Sequence, residues 1–282
     1  MVVTDEEGSS IGPSARAFGA IVLGVSLKMY LGYHETLAWC RAVAALGRRH
    51  PALTRGLASL FVLPSAPMLG EVRTLLAGTG IGFGAQDVFY EDAGAFTGAV
   101  SPRLLRELGC THAEIGHAEQ RRMFGETDAV VALKLTATLR NGLIPVLCVG
   151  ESARGSPAQA AAHATRQVLA ALRATDAPRI RLIVAYEPVW AIGANRPAER
   201  AHIRGVCTRL QNRLDKDSRL AGSRVIYGGS AGPGLLTALG GRPTGLFLGR
   251  FAHDPANLRL VLDEVLALGA RQSERSDSSA SG

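Results

Sequence analysis

Short apolar segments alternate with longer amphipathic segments along most of the chain. The apolar segments have the length and β-branched content of buried strands, and they lie at residues 20–26, 60–64, 80–86, 111–116, 143–150, 181–187, 224–228 and 245–249. Segments of helical character follow them at residues 34–49, 66–77, 101–108, 127–141, 157–173, 197–214, 234–239 and 255–268. This alternation predicts an α/β fold with eight βα units around a parallel sheet.

Local signals support several of these boundaries. Ser101 and Pro102 are typical of a helix N-cap followed by proline at the first helical position, and Asn141 with Gly142 is a typical helix stop. Residues 1–17 begin with an acidic stretch and lack the apolar core of a secretory signal, so we expect a flexible leader. Residues 270–282 lack large apolar side chains and are expected to be disordered, which leaves residues 18–269 as one domain.

The composition narrows the class of protein. Of the 282 residues, 47% are hydrophobic, which is ordinary for a globular domain, and no apolar run is long enough to cross a bilayer. The four cysteines are widely spaced and form no C-x-x-C pair, which argues against a zinc site or a disulfide scaffold. We therefore expect a protein of the reducing cytoplasm that has no membrane partner.

The charge favours an anionic small molecule as ligand. The formal net charge is +7 at pH 7, from 31 basic and 24 acidic residues, and the arginines are dispersed along the chain. Nucleic-acid binding is the alternative for such a basic chain. No platform of aromatic and basic residues and no recognition motif supports it, so we expect no nucleic-acid partner.

The most informative segment is R-L-I-V-A-Y-E-P-V-W-A-I-G, at residues 181–193. Its first half is typical of a buried strand that ends at Glu187, directly before Pro188, so that a carboxylate is held at the tip of a rigid element. The apolar residues after Pro188 and the flexible Gly193 are typical of a loop that closes over a ligand. The alternative is that Glu187 pairs with an arginine at the strand end.

Four further motifs occur along the chain: G-V-S-L-K-M at residues 24–29, G-A-F-T-G at 94–98, G-H-A-E-Q-R at 116–121 and Y-G-G-S at 227–230. Together with A-Y-E-P-V-W-A-I-G, and in the same order, they resemble the triosephosphate isomerase family from about residue 18 to residue 268. The resemblance implies a single (β/α)8 barrel, in which the active site lies at the carboxyl ends of the strands.

The resemblance also implies the catalytic residues. Glu187 matches the base that removes a proton next to the substrate carbonyl, and His117 matches a neutral imidazole that moves protons between the substrate oxygens. Lys28 matches the ammonium that attracts the phosphate and stabilises the developing negative charge. Glu119 matches the acid that pairs with Lys28. Without the resemblance, Lys28 would be interpreted as a solvated lysine and His117 as an ordinary core or surface histidine.

The implied partners are a small phosphorylated sugar and a second copy of the chain. The substrate and its phosphate are expected to contact residues at the strand ends, namely Ser26, Lys28, Gly193, Ser230, Gly249 and Arg250. Thr97 matches a threonine that reaches the active site of a partner subunit, which implies a homodimer. The alternative for residues 94–98 is a mobile loop of a single chain.

His112, Glu114 and His117 form the pattern H-x-E-x-x-H, which could indicate a metal site. On a strand, His112 and Glu114 face the same side, whereas His117 follows at an odd spacing. The three side chains therefore do not converge in regular β geometry. The sequence predicts an enzyme without a metal and without a cofactor.

The chain departs from the family at several positions. Ser26 and Leu27 replace asparagine and tryptophan, Ala118 replaces serine, Gln120 replaces arginine and Arg250 replaces a glycine. The predicted lid is also shorter than the family pattern by about three residues.

For the Arg250 side chain we consider three interpretations: a bond to the phosphate, a bond to an extra hydroxyl of a longer sugar, or exposure to solvent with or without a nearby carboxylate.

Two substrates are compatible with this pattern. One is dihydroxyacetone phosphate, which is interconverted with glyceraldehyde 3-phosphate, and the other is a four-carbon erythrulose phosphate. Either reaction would transfer a proton through an enediol(ate) intermediate. The alternative from another class is a barrel that binds sugar phosphates without turning them over, and the presence of Lys28, His117 and Glu187 together argues against it.

Overall fold

The structure is a computed structural model that describes residues 18–194 and 196–280. Within these residues, eight strands form a closed barrel in the order in which they occur in the chain, and all neighbouring strands are parallel. The strands are β1 (Ile21–Ser26), β2 (Ala58–Leu63), β3 (Gly82–Ala85), β4 (His112–Ile115), β5 (Ile144–Val149), β6 (Ile183–Tyr186), β7 (Arg224–Tyr227) and β8 (Gly245–Leu248). The predicted (β/α)8 barrel is confirmed.

Helices connect the strands and cover the outside of the barrel. They are α1 (Tyr33–Arg49), α2 (Pro51–Thr54), α3 (Leu69–Leu76), α4 (Pro102–Glu107), α5 (Ala118–Phe124), α6 (Asp128–Arg140), α7 (Pro157–Ala171), α8 (Arg200–Asp215), α9 (Leu235–Ala238) and α10 (Pro255–Ala280). Short 3-10 turns lie at Ala66–Met68, Leu172–Ala174, Val189–Ala191, Ser218–Leu220 and Arg250–His253. Side chains specify several helix starts: the Ser101 hydroxyl, for example, accepts a hydrogen bond from the Leu104 N–H at 3.2 Å.

The buried side chains form two cores, because successive residues of a strand point to opposite faces. One core lies between the strands and the helices, and the other fills the barrel. The barrel core consists of Val22, Phe61, Leu63, Ile144, Val146, Cys148, Ile183, Ala185, Ile226 and Phe247. Gly24 of β1 leaves space for this core, since a Cβ atom there would overlap the Phe61 ring.

Helices α2 and α5 are short additions to the eight predicted helices, and two predicted segments have different boundaries. Helix α8 begins at Arg200 rather than at residue 197, and the segment before it is held to the barrel by a hydrogen bond from the Ala198 N–H to the Tyr227 hydroxyl at 3.1 Å. Helix α10 continues to Ala280, whereas disorder was predicted from residue 270. Residues 270–280 contain no proline or glycine, and a helical backbone satisfies its own hydrogen bonds without apolar anchors. The predicted leader, residues 1–17, lies outside the described residues.

Two predictions from composition can be compared with the fold. No helix in the described part of the chain is long and apolar enough to cross a membrane. All four cysteines, which were not expected to form a disulfide scaffold, have free thiols and are buried as small apolar residues.

A buried ion cluster connects α6 to two loops at the carboxyl end of the barrel. Lys134 Nζ lies 2.6 and 2.8 Å from the two carboxylate oxygens of Asp87, which follows β3. It also lies 2.5 Å from Oε1 of Glu126, between α5 and α6, and the Lys134 and Glu126 side chains are 8% and 3% exposed. One ammonium therefore holds together two carboxylates from separate loops.

We expect Lys134→Met to lower the free energy of unfolding by about 3 kcal/mol, because the two carboxylates would lose their cation in a poorly solvated site. Chemical denaturation of the variant and of the parent protein measures this difference. Lys216→Met is the matched control, since Lys216 is exposed after α8 and should change stability little. Equal effects of the two substitutions would show that the cluster contributes nothing specific.

Candidate active site

A cavity of about 650 Å³ lies at the carboxyl ends of the strands. Residues predicted for the site line this cavity: Ser26, Lys28, His117, Glu119, Glu187, Gly193, Ser230, Gly249 and Arg250. Thr97 is not among the lining residues and lies in an exposed loop between β3 and α4. The barrel thus brings together all the predicted site residues except Thr97.

Lys28 follows β1 in a strained backbone conformation. Its φ is 50°, in the left-handed region that residues other than glycine rarely adopt. Its Nζ donates a hydrogen bond to Glu119 Oε1 at 2.8 Å, which is the predicted pairing. Burial lowers the pKa of Lys28, but the hydrogen bond and the charge of Glu119 outweigh it, and the pKa is raised overall. The ammonium therefore stays charged at neutral pH.

His117 lies between β4 and α5 and caps the helix. Its Nδ1 accepts a hydrogen bond from the Glu119 N–H at 3.0 Å, so the neutral ring carries its proton on Nε2. Burial, followed by the positive charge of Lys28, lowers the pKa of His117 to about 4. A neutral imidazole with a proton on Nε2 can donate a hydrogen bond to a substrate oxygen inside the cavity.

Glu187 follows β6 and is 4% exposed. Its Oε2 lies 3.3 Å from His117 Nε2 but accepts no well-aligned hydrogen bond from any residue in the described part of the chain. Burial raises the pKa of Glu187 well above its ordinary value, and the charge of Glu114 raises it further. A Cβ atom on Gly228 would lie 2.6 Å from Glu187 Cγ, so glycine leaves the space that the Glu187 side chain occupies. A carboxylate with so few partners is well suited to accept a proton.

Glu114 and Cys148 lie beneath the base and were not predicted as site residues. Glu114 lines the cavity, is 2% exposed, and accepts a hydrogen bond at Oε2 from the Ser26 hydroxyl at 3.0 Å. Cys148 Sγ lies 3.8 Å from Oε1 of Glu114 and 3.8 Å from Oε1 of Glu187. The signal in the sequence is a glutamate, Glu114, at an inward position of a barrel strand, where apolar side chains are usual.

The residues of the H-x-E-x-x-H pattern do not converge. His112 stacks on Phe61 inside the barrel, with ring centroids 4.3 Å apart, whereas Glu114 contacts Ser26 and His117 caps α5. Among the described residues, no group of three or more His, Cys, Asp or Glu side chains is arranged to hold a metal ion.

The predicted lid begins at the 3-10 turn Val189–Ala191 and is attached to β5 through Glu151. The Trp190 Nε1–H donates to Glu151 Oε1 at 2.9 Å. The Tyr186 hydroxyl lies 3.1 Å from both oxygens of the same carboxylate. One buried carboxylate therefore connects the lid to the strand that carries the base.

Two of the predicted phosphate-binding residues contact the lid from the opposite side. Ser230 donates through its N–H to Ala191 O at 3.3 Å and through its hydroxyl to Ala194 O at 2.5 Å. The Arg250 guanidinium donates to Gly193 O at 3.0 Å. None of the three interpretations of Arg250 from the sequence included this contact, because the path of the lid backbone is not visible in the local sequence.

Comparison with known proteins identifies the family. The sequence model described as triosephosphate isomerase matches residues 21–265. The chain belongs to the triosephosphate isomerase family. It is 49% identical to the L-erythrulose-1-phosphate isomerase of Pectobacterium atrosepticum over 253 residues, which cover 89% of this chain and 98% of that protein. It is 38% identical to the protein of the same name from Rhizobium etli, with 91% and 97% of the two chains covered.

Relatives named triosephosphate isomerase are also similar. The chain is 37% identical to that of Herpetosiphon aurantiacus, with 79% of this chain and 89% of the relative covered. The crystal structure of triosephosphate isomerase from Bartonella henselae superposes with a TM-score of 0.72 at 28% identity, and 88% of this chain and 99% of that chain are covered. The protein is therefore an isomerase of the triosephosphate isomerase family with the barrel fold of that family.

We expect the His117 ring to stay neutral, with its proton on Nε2, from about pH 5 to pH 9. Because burial lowers its pKa to about 4, protonation begins only at more acidic pH. Nitrogen NMR of the imidazole measures both the tautomer and the charge, and His117→Gln identifies the resonances. A titration between about pH 5 and pH 8, or a proton on Nδ1, would contradict this assignment.

We expect Arg250→Ala to lower kcat/KM by about threefold for three-carbon and four-carbon substrates alike, because an exposed hydrogen bond to the lid is modest and independent of sugar length. Steady-state kinetics of Arg250→Ala and of the parent protein gives the fold-change in kcat/KM for each of the two substrates. Arg41→Ala, at an exposed position of α1, is the control for loss of one positive charge. A loss confined to the four-carbon substrate would instead show that Arg250 recognises the sugar.

Proposed function

We propose that the protein isomerises L-erythrulose 1-phosphate, and that dihydroxyacetone phosphate is a second and poorer substrate. The observation that carries the isomerase chemistry is the convergence of a buried carboxylate, a neutral imidazole and an ammonium in one cavity. His117 Nε2 lies 3.3 Å from Glu187 Oε2, and Lys28 lines the same cavity. These groups match the requirements of proton transfer next to a carbonyl.

In the proposed reaction, Glu187 removes the proton from the carbon that lies next to the carbonyl on the side away from the phosphate. The electrons of that C–H bond form a carbon–carbon double bond, and the carbonyl oxygen takes up the negative charge. Lys28 stabilises this charge, and His117 exchanges protons between the two neighbouring oxygens. The protonated Glu187 then returns its proton to the former carbonyl carbon, so the carbonyl moves by one position.

The relatives support the four-carbon substrate. The two proteins named L-erythrulose-1-phosphate isomerase are 49% and 38% identical to this chain and cover 89% and 91% of it. The departures Ser26 and Arg250 both line the cavity, where they can affect the fit of a substrate. Dihydroxyacetone phosphate stays a candidate, because the 37% identical relative from Herpetosiphon aurantiacus carries the name triosephosphate isomerase.

We also propose that the active form is a homodimer in the cytoplasm. Large apolar side chains are exposed near β1 and in the loop after β3: Met29 is 94% exposed, Tyr30 58%, Tyr33 50% and Phe96 43%. Exposed apolar side chains of this size are typical of subunit interfaces. Thr97 follows Phe96 in the same exposed loop, which supports the proposal that it contacts a partner subunit. The four free thiols are compatible with a reducing compartment.

We expect kcat/KM to be at least about tenfold higher for L-erythrulose 1-phosphate than for dihydroxyacetone phosphate when both are assayed with one preparation.

We expect Glu187→Asp to lower kcat for both substrates by about a hundredfold or more, because the shorter side chain withdraws the carboxylate from the reacting carbon. Coupled assays measure product formation directly. A preference for dihydroxyacetone phosphate would reverse the order of the substrates, and full activity of Glu187→Asp would exclude Glu187 as the base.

A further inference from the structure

The side chain of Glu114 is a costly group at the floor of the cavity. It is 2% exposed, on an inward face of the barrel that otherwise carries mostly apolar side chains. Its carboxyl accepts hydrogen bonds from the Ser26 hydroxyl at 3.0 Å and from the Cys148 thiol at 3.8 Å. The nearby cation, Lys28, forms its ion pair with Glu119 instead. A buried carboxyl that no cation neutralises destabilises a fold, so a purely structural role explains it poorly.

The charge state of Glu114 suits it to bind a hydroxyl group. Burial raises its pKa to about 8, against the opposing effects of the Ser26 hydrogen bond and the Lys28 charge. Cys148 lies next to both Glu114 and Glu187, with its Sγ 3.8 Å from an oxygen of each carboxyl. Two buried carboxyls that share the Cys148 neighbour resist double ionisation, so a proton on Glu114 would leave Glu187 free to act as the base. In its protonated form, which burial favours, Glu114 can both donate and accept a hydrogen bond.

The chemistry of the four-carbon substrate requires a polar contact near the base. In erythrulose 1-phosphate, the carbonyl can move only to the carbon that carries a hydroxyl, which is C3. C3 also carries a hydroxymethyl group, which is a hydrogen atom in dihydroxyacetone phosphate. Since Glu187 must reach the proton on C3, the additional hydroxyl lies within two bonds of the carbon that meets the base. Glu114 is the carboxyl next to that base in the cavity lining.

We propose that Glu114 determines substrate specificity: its carboxyl, hydrogen-bonded to Ser26, binds the terminal hydroxyl of the four-carbon substrate. This inference rests on the proposed function. A four-carbon sugar completes the hydrogen bonds of the cavity floor, whereas a three-carbon sugar leaves them unused. Discrimination of this kind is strong, because a site built for a hydroxyl group leaves a buried polar group unpaired when that hydroxyl is missing.

The test compares Glu114→Leu with Glu114→Gln. Leucine has a similar size but forms no hydrogen bond, and glutamine is the neutral isostere of the protonated acid. We expect Glu114→Leu to lower kcat/KM for L-erythrulose 1-phosphate by about tenfold or more and to change kcat/KM for dihydroxyacetone phosphate by less than about threefold. Glu114→Gln should retain most of the preference. Circular dichroism checks the fold of each variant.

Binding of substrate analogues that cannot isomerise separates recognition from catalysis. We expect Glu114→Leu to weaken inhibition by erythritol 4-phosphate by about tenfold and to leave inhibition by glycerol 3-phosphate nearly unchanged. If Glu114→Leu does not fold, Ser26→Ala replaces it, because loss of the hydroxyl that holds the carboxyl should lower the same four-carbon to three-carbon ratio.

The outcomes distinguish this inference from the proposed function. If the wild-type protein does not turn over L-erythrulose 1-phosphate, the proposed function is wrong and the inference falls with it. If the wild-type protein does so but Glu114→Leu keeps the substrate ratio, only the inference is overturned. Equal losses for both substrates and both inhibitors would also overturn it, since Glu114 would then act on the base or on the fold rather than on the hydroxymethyl group.

Discussion

The burial of the Glu187 carboxylate is the constraint on which the rest of the site depends. The carboxyl is 4% exposed, and its Oε2 accepts no well-aligned hydrogen bond from the described residues. Such a group is costly to bury. Its backbone is fixed at the end of β6 by a hydrogen bond from the Glu187 N–H to Val149 O at 2.8 Å, and Gly228 leaves space for its side chain. A direct ion pair between Glu187 and Lys28 would reduce the cost of burying the carboxylate, but it would also make Glu187 a weaker base. Glu119 binds Lys28 instead, so the positive charge stays available for the substrate.

Three glutamates line one cavity and differ because their environments differ. Burial alone would raise the pKa of Glu119, but its hydrogen bond and charge interaction with Lys28 lower it overall. Glu114 has no such cation partner, and burial raises its pKa to about 8. Burial raises the pKa of Glu187 well above its ordinary value. The same side chain therefore occurs once as a charged partner of a lysine and twice as a buried carboxyl of raised pKa, according to burial and neighbours.

The lid links the strand that carries the base to the loops that follow β7 and β8. Glu151 holds Trp190 on one side, while Ser230 and Arg250 hold the lid backbone on the other. Both Ser230 donors are engaged by lid carbonyls. Binding of a phosphate by Ser230 would therefore exchange lid contacts for substrate contacts, which couples substrate binding to the position of the lid.

The barrel fold is kept while most of the sequence changes. This chain and the Bartonella henselae structure superpose with a TM-score of 0.72 although only 28% of residues are identical. A fold of this kind does not by itself set specificity, which depends on the residues of the site. In this chain, the inward positions Ser26 and Glu114 form a hydrogen bond at 3.0 Å within the cavity. Specificity can change there without a change in the barrel.

The sequence by itself determined the eight βα units and placed Lys28, His117 and Glu187 at strand ends, because strand and helix periodicity and strand-end residues are local features. The role of Thr97 and the dimer stay predictions.

The tertiary structure decided which inward side chains meet: Ser26, Glu114 and Cys148 come from three strands and are far apart in the chain. It also decided the contacts of Lys134 and Arg250. Such contacts depend on barrel closure and on the path of the loops, and no local pattern encodes either of them.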